Sequence, residues 1–268
     1  MDIKHNSLMS KAFNSMNINL YELAYVKTGS EWNCEYMCSG YTRIYMITGG
    51  TGYIKYKNTV VRLQPNNIYI IPAGLEFAYS CEDYLEKLYV HISIPGQNNY
   101  DIFNAFSECI VIENKENFIK KCVELFNNRD VISTIKLKCL LYEIVAECTE
   151  NRNEEFGKIN IYSDITLKAI KYIEKNMSAS LTAEEVSKSL FISLSKLQKQ
   201  FREDTGVSLG RYIDDRIMFR AERELKNQNA SIKEISDKLG FCDQFYFSRK
   251  FSAKYGMSPV KYKKNCGI

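Results

Sequence analysis

The 268-residue sequence predicts two domains: a mainly antiparallel β domain with trailing helices, followed by an all-α domain. Three observations carry this. Short segments rich in Tyr, Ile, Val and Thr, parted by Gly, Asn or Pro, fill residues 20–95. From about residue 115 the apolar residues fall three and four apart, as in helices. Beyond residue 163 one helical unit is written twice. The length agrees, at ~100–200 residues per domain.

The predicted strands are ELAYV, YTRIYMI, GYIKY, TVVRL and NIYIIP. TGGTG (48–52) and QPNN (64–67) read as turns between them. Many short strands at this spacing imply a sandwich or barrel. The barrel, with an N-terminal arm, is assigned to residues 1–112.

Two helices are predicted over residues 113–150, in KENFIKKCVELFNN and STIKLKCLLYEIVAECTE. The second carries Ile135, Cys139, Tyr142 and Ala146 alongside Leu137, Leu141, Ile144, Val145 and Cys148. A helix so broadly apolar suits either packing on the barrel or a subunit interface. Read as a dimerisation region, it offers Leu137, Leu141 and Ile144 as interface contacts. The polar stretch NRNEEFGKINIYSD has no clear periodicity, and residues 151–163 read as a linker. Residues 164–268 are the predicted C-terminal domain.

The net charge of +4 is unevenly placed. Residues 163–268 hold 20 Lys+Arg against 13 Asp+Glu, a net of +7, and residues 1–162 hold 16 against 19, a net of −3. A basic module behind a mildly acidic body suggests a polyanion partner for one end. Charge alone leaves an uneven solvated surface equally open.

No apolar run approaches the ~18–20 residues of a membrane span, and the N-terminus lacks a signal pattern, so a cytoplasmic location is expected. Nine irregularly spaced cysteines fit a reducing compartment. Cys34 and Cys38 have no second pair or His at zinc spacing and are expected to be ordinary thiols.

The repeat is the most informative feature. Thr182, Glu185, Val186, Leu190 and Ile192 match Ser231, Glu234, Ile235, Leu239 and Phe241 at an offset of 49. Leu197, Lys199, Phe201, Gly206, Ser208 and Tyr212 match Phe247, Arg249, Phe251, Gly256, Ser258 and Tyr262 at an offset of 50. Thr182-x-x-Glu185 and Ser231-x-x-Glu234 are capping boxes for a short helix. A tight turn follows, at Gly240 in the second unit, where a positive φ costs little. Ser193 and Asp243 can cap the next helix, and Gly206 and Gly256 can end it. Leu197 with Phe201, and Phe247 with Phe251, anchor that helix to the core. Each unit is therefore a helix-turn-helix. DDRIMFRAERELKNQ, with Ile217, Ala221 and Leu225 inward, joins the two as a rigid connector.

Opposite its anchors the first long helix presents Ser195, Gln198, Lys199 and Arg202. The second presents Gln244, Ser248, Arg249 and Lys250. Gln can bridge adenine N6 and N7, Arg or Lys can reach guanine O6 and N7, and Ser serves either base. For any one of them a solvated face remains open; in duplicate they point to double-stranded DNA as the partner, read in successive major grooves about 34 Å apart.

These segments, RIMFRAERELK and SIKEISDKLGFCDQFYFSRKFSAKYGMSPVKYK above all, resemble the DNA-binding domain of the AraC/XylS family of bacterial transcription regulators. The resemblance covers some hundred residues. It implies a transcription regulator, an activator by expectation, with a cupin-like barrel ahead of the module and a homodimer formed through the helices after it. It also admits RNA polymerase as a partner. The N-terminal likeness is looser: the position after the Pro-x-Gly turn, where many members carry His, falls near Phe77 in this chain.

An enzyme is not expected. A catalytic cupin needs several His and a carboxylate around its metal, and His5 and His91 are the sequence's only two histidines. DNA-repair proteins that carry the same module need a four-Cys zinc site, which the scattered cysteines do not supply. No metal or cofactor is therefore called for. What remains open is a small-molecule sensor, or a regulator gated by a protein partner or by abundance. Arg43, Tyr45, Tyr53 and Tyr79 are the candidate effector contacts: Tyr joins apolar area to one hydroxyl, and Arg43 within an apolar strand either holds an anion or faces outward.

Overall fold

Strand β3 (Thr42–Tyr56) runs unbroken through the TGGTG segment that reads as a turn. The computed structural model describes residues 9, 13–14, 16–96, 99–150, 162–226 and 230–265. Two units emerge, residues 1–96 with 100–159 and residues 160–268 with 97–99. The predicted arm with His5 and nearly all of the predicted linker lie outside the described residues.

The first unit holds β1 (Asn19–Thr28), β2 (Cys34–Met37), β3, β4 (Thr59–Leu63), β5 (Ile68–Ile71), β6 (Phe77–Ser93) and β7 (Ile110–Ile112) in one antiparallel sheet. The strand path is β1-β6-β3-β5-β7, with β2 beside β6 and β4 beside β3. Its two ends, β1 and β7, do not pair, so the sheet is open among the described residues where a barrel is expected. Its longest strands, β3 and β6, pair along most of their length. β3 pairs β5 through Arg43–Met46 and β4 through Gly52–Tyr56, exchanging neighbours part-way along. Register shifts between Ile47 and Gly49 and between Gly50 and Gly52 separate the two halves. Such bulges bend a strand without ending it, which is the chemistry behind the apparent turn. Gly50 has φ 72°, and a Cβ there would lie 2.1 Å from the Tyr84 carbonyl oxygen.

Side chains alternate across this sheet. Ile44, Met46, Ile68, Ile70, Leu88, Val90 and Ile92 form one core with residues of α1 (Glu116–Asn127) and α2 (Val131–Glu150). Leu137, Leu141 and Ile144 sit inside that core at 6%, 5% and 1% exposure. This corrects their reading as interface contacts: the helix uses its tightest apolar stripe on its own sheet, where burial contributes roughly 1.5–3 kcal/mol per side chain. The other stripe stays out, with Val131, Ile132 and Ile135 at 74%, 65% and 57% exposure.

The second unit is helical: α3 (Asp164–Lys175), α4 (Ala183–Ser189), α5 (Leu194–Thr205), α6 (Leu209–Leu225), α7 (Ile232–Lys238), α8 (Gln244–Tyr255) and α9 (Pro259–Asn265). Both capping boxes form in full, at Thr182 with Glu185 and at Ser231 with Glu234. The repeat offset changes in the α7–α8 turn, where Cys242 is the extra residue. Leu197, Phe201, Phe247 and Phe251 are completely buried. The connector α6 buries Ile217, Ala221 and Leu225 as its pattern requires. It also buries Glu222, whose carboxylate accepts from the hydroxyls of Tyr255 at 3.2 Å and of Tyr262. A buried carboxylate so paired ties α6 to α8 and α9.

Candidate nucleic-acid interface

Helices α5 and α8 are each twelve residues long and are built alike. Ser193 caps α5 by accepting from the Lys196 amide, and Asp243 caps α8 by accepting from the Phe245 and Tyr246 amides at 2.7 Å. Those amide hydrogen bonds hold the Asp243 carboxyl below its usual range. Both helices end on a left-handed glycine, Gly206 at φ 76° and Gly256 at φ 69°. With both ends fixed and one face anchored, each helix offers a rigid outer face.

On α5, Ser195, Gln198, Lys199 and Arg202 are all exposed. Lys199 Nζ lies 3.9 Å from Glu203 Oε1, a loose surface pair worth little in water. On α8, Arg249 is exposed, with its guanidinium 5.9 Å from the Tyr246 ring centre. The others are less available. Gln244 is half-buried, and the half-buried Ser248 donates its hydroxyl to the Gln244 carbonyl at 2.7 Å. Lys250 Nζ is 2.7 Å from Asp214 Oδ1 on α6, since one residue beyond Arg249 turns the side chain about 100° toward the connector.

At the constant offset of 50, Ser195, Gln198, Lys199 and Arg202 correspond to Phe245, Ser248, Arg249 and Ser252. Phe245, absent from the sequence-derived set, is 68% exposed. Carrying the offset through every slot of the helix would have found it.

In the first unit, Arg43, Tyr45 and Tyr79 fall on the sheet face opposite the helices, whereas Tyr53, paired with Ser80 while Ile54 pairs Tyr79, points to the other face. Arg43 is 6% exposed rather than outward-facing. Its Nη2 donates to the Tyr41 hydroxyl at 3.0 Å, its Nε to Ser39 Oγ at 3.3 Å, and its Nη1 lies 3.3 Å from His91 Nε2. His91 Nδ1 is 2.9 Å from Glu22 Oε2, and Tyr89 donates to Glu22 Oε1 at 2.6 Å. Tyr45 is buried beside this chain of contacts, and half-buried Tyr79 stacks on Trp32 at 4.5 Å. No ring or hydrogen-bond contact brings half-buried Tyr53 to the group among the described residues. The structure adds Lys87, 3% exposed, with Nζ 3.7 Å from the Trp32 ring centre and 3.9 Å from that of Tyr45. Burial, with the Arg43 charge beside it, holds the Lys87 ammonium well below the ordinary lysine range. Alternation along β6 places Lys87 on one face with Tyr89 and His91, and that was legible in LEKLYVHI.

Nearby, Asp101 is buried, accepting from the Phe103 amide at 2.9 Å and from Thr42 Oγ1 at 3.2 Å. Its second oxygen has no partner among the described residues, and burial pushes the carboxyl up to about 7. Among the described residues no group of three His, Cys, Asp or Glu is placed to hold a metal ion, and no helix is long and apolar enough to cross a membrane.

Comparison with known proteins agrees with this architecture. A family described as a helix-turn-helix domain matches residues 186–265. The lactose operon transcription activator of Staphylococcus xylosus is 24% identical over 242 residues, spanning 84% of each chain. The multiple antibiotic resistance protein MarA of Escherichia coli is 35% identical over 100 residues, 37% of this chain and 79% of MarA. ToxT of Vibrio cholerae shares the two-domain fold with a TM-score of 0.59 at 16% identity, over 95% of this chain and 100% of ToxT. The paired helix-turn-helix units, the sheet domain before them and these relatives converge: the chain is a DNA-binding transcription regulator and belongs to the AraC/XylS family.

Proposed function

We propose that this regulator reads promoter DNA with α5 and α8 in successive major grooves, acts as a homodimeric activator, and is switched by a small anionic effector. The observation that supports the reading is the matched pair of helices, equally long and each fixed by an N-terminal side-chain cap and a left-handed glycine, each turning cationic or amide side chains outward. Gln198 suits adenine, and Lys199, Arg202 and Arg249 suit guanine or phosphate. Ser195 and Gln244 complete the faces, while Ser248 and Lys250 reach DNA after giving up contacts within the unit. As an activator the protein would present a surface to RNA polymerase once bound.

The effector reading rests on the inner face of the sheet. Arg43 and Lys87 are both buried there beside a single partnered carboxylate, Glu22, and no acceptor engages Lys87 among the described residues. An anion bound there would favour the charged form of Lys87, which burial and the Arg43 charge otherwise disfavour. Trp32, Tyr45 and Tyr79 would supply the apolar contacts. ToxT has itself been solved with an unsaturated fatty acid and with a methylnaphthalenyl butenoic acid. For dimerisation, the outer stripe of α2 with Val131, Ile132, Ile135 and Cys139 replaces the buried one.

Melting of the full chain against a panel of small carboxylates and phosphate esters tests the effector. A true ligand raises Tm by mass action, with the shift lost in Lys87→Met and Arg43→Gln. If no compound shifts Tm, the protein is gated by a partner or by abundance.

A further inference from the structure

Phe245 is 68% exposed on the first turn of α8, among the most exposed large apolar side chains of the second unit. No other ring or cation engages it among the described residues, whereas its neighbour Tyr246 lies against Phe241 at 6.2 Å and beneath Arg249 and Lys250. Its backbone is held firmly, since the Phe245 amide donates to Asp243 at 2.7 Å. The ring therefore stands in water on a rigid turn, one helical turn before Arg249 and on the same outer face. The repeat gives this position a meaning. Phe245 fills the slot that Ser195 fills on α5, at the constant offset of 50, so a polar base-reading side chain in one helix is replaced by an aromatic one in the other.

We infer that Phe245 is a specificity-determining residue that packs against thymine C5-methyl groups in the major groove. The inference deepens the reading of α8 as a DNA reader and rests on it. The methyl is the apolar feature that the major groove displays, and an aromatic side chain recognises it by excluding water without a hydrogen bond. The two helices thus differ in chemistry: α5 reads with amide, hydroxyl and cationic groups alone, whereas α8 adds one exposed ring to its polar and cationic groups. Spacing sharpens the inference. One helical turn rises about 5.4 Å, and base pairs repeat every ~3.4 Å, so the thymine lies about one or two base pairs from the guanine bound by Arg249.

The test uses the full-length protein and duplexes selected by it from a random library. Each thymine of the box assigned to α8 is replaced singly by deoxyuridine, which removes only the methyl, and affinities are measured for wild type, Phe245→Ala, Phe245→Leu and Arg249→Ala. Wild type is expected to lose about fourfold at one or two thymines, the loss from one methyl-sized group no longer buried. Phe245→Ala should bind thymine and deoxyuridine duplexes alike, and Phe245→Leu should retain part of the difference. Arg249→Ala should keep the methyl effect while relaxing the neighbouring guanine. If Phe245→Ala retains the full difference, or weakens both duplexes equally, Phe245 does not read thymine and the inference falls while α8 remains a reader. If wild type selects no sequence and Arg249→Ala changes nothing, the reading of α8 falls with it. Unchanged melting of Phe245→Ala would show that its effect comes from the DNA contact.

Discussion

Phe191 and Gly240 hold the same position in the two turns, and both have left-handed backbone, φ 54° and φ 76°. Gly240 sits against α3's trailing loop, where a Cβ would lie 2.3 Å from Ser178 Oγ. Phe191 meets open water at 97% exposure, so only the backbone cost remains there. The second turn needs glycine; the first tolerates a side chain.

Two substitutions separate these costs. Gly240→Ala should destabilise by about 1–2 kcal/mol from the left-handed backbone, and more from the contact with Ser178. Phe191→Gly should stabilise by roughly 0.5–1 kcal/mol, the relief of that backbone cost less the greater freedom of glycine in the unfolded chain. Thermal unfolding of both variants checks this. Equal effects at the two positions would contradict it.

The two stripes of α2 predict opposite outcomes for the same chemical change. Ile135→Glu lies on the exposed stripe, so the fold should keep its stability within about 0.5 kcal/mol while sedimentation shows monomers. Leu141→Glu places a charge in the sheet-facing core and should cost about 3 kcal/mol or more, whatever the oligomeric state. An Ile135→Glu protein that remains dimeric would move the interface elsewhere.

Asp101 gives the first unit a pH dependence of definite sign. Its folded value, about 7, lies above that of an unfolded aspartate, so between roughly pH 4 and 7 the folded state binds more protons. Its contribution to stability is therefore present at low pH and lost as pH rises through 7. Asp101→Asn keeps an acceptor for Thr42 and the Phe103 amide and removes the titration. The Tm difference between variant and wild type should grow in favour of the variant from pH 5 to pH 8; parallel curves would contradict the assignment.

The repeat made the second unit legible, because capping boxes, terminal glycines and anchor pairs are local chemistry that acts before any tertiary contact. Thr182 with Glu185, and Asp243 before α8, behave as their spacing dictates. The first unit was less readable, since its decisive features depend on distant residues. The Gly49–Gly50 pair has turn composition, and only the approach of Tyr84 shows it to be a bulge inside β3. Which stripe of α2 faces inward depends on where the sheet lies. Arg43 is buried because Tyr41, Ser39 and His91 converge on it, and strand alternation alone does not report that convergence. Glu222 was unreadable for the same reason: its two tyrosine partners lie 33 and 40 residues away.

Base reading by both α5 and α8 is what the proposed function requires. Selection from a random duplex library with full-length wild type, Gln198→Ala and Arg249→Ala tests it most directly. Wild type should yield two short boxes with centres about 10–10.5 base pairs apart, one helical turn of DNA. Gln198→Ala should flatten the preference at one position of one box, and Arg249→Ala at one position of the other, each by about 1–3 kcal/mol of discrimination. Affinity that drops uniformly for every sequence in both variants, with the boxes unchanged, would make these residues phosphate contacts and contradict the account.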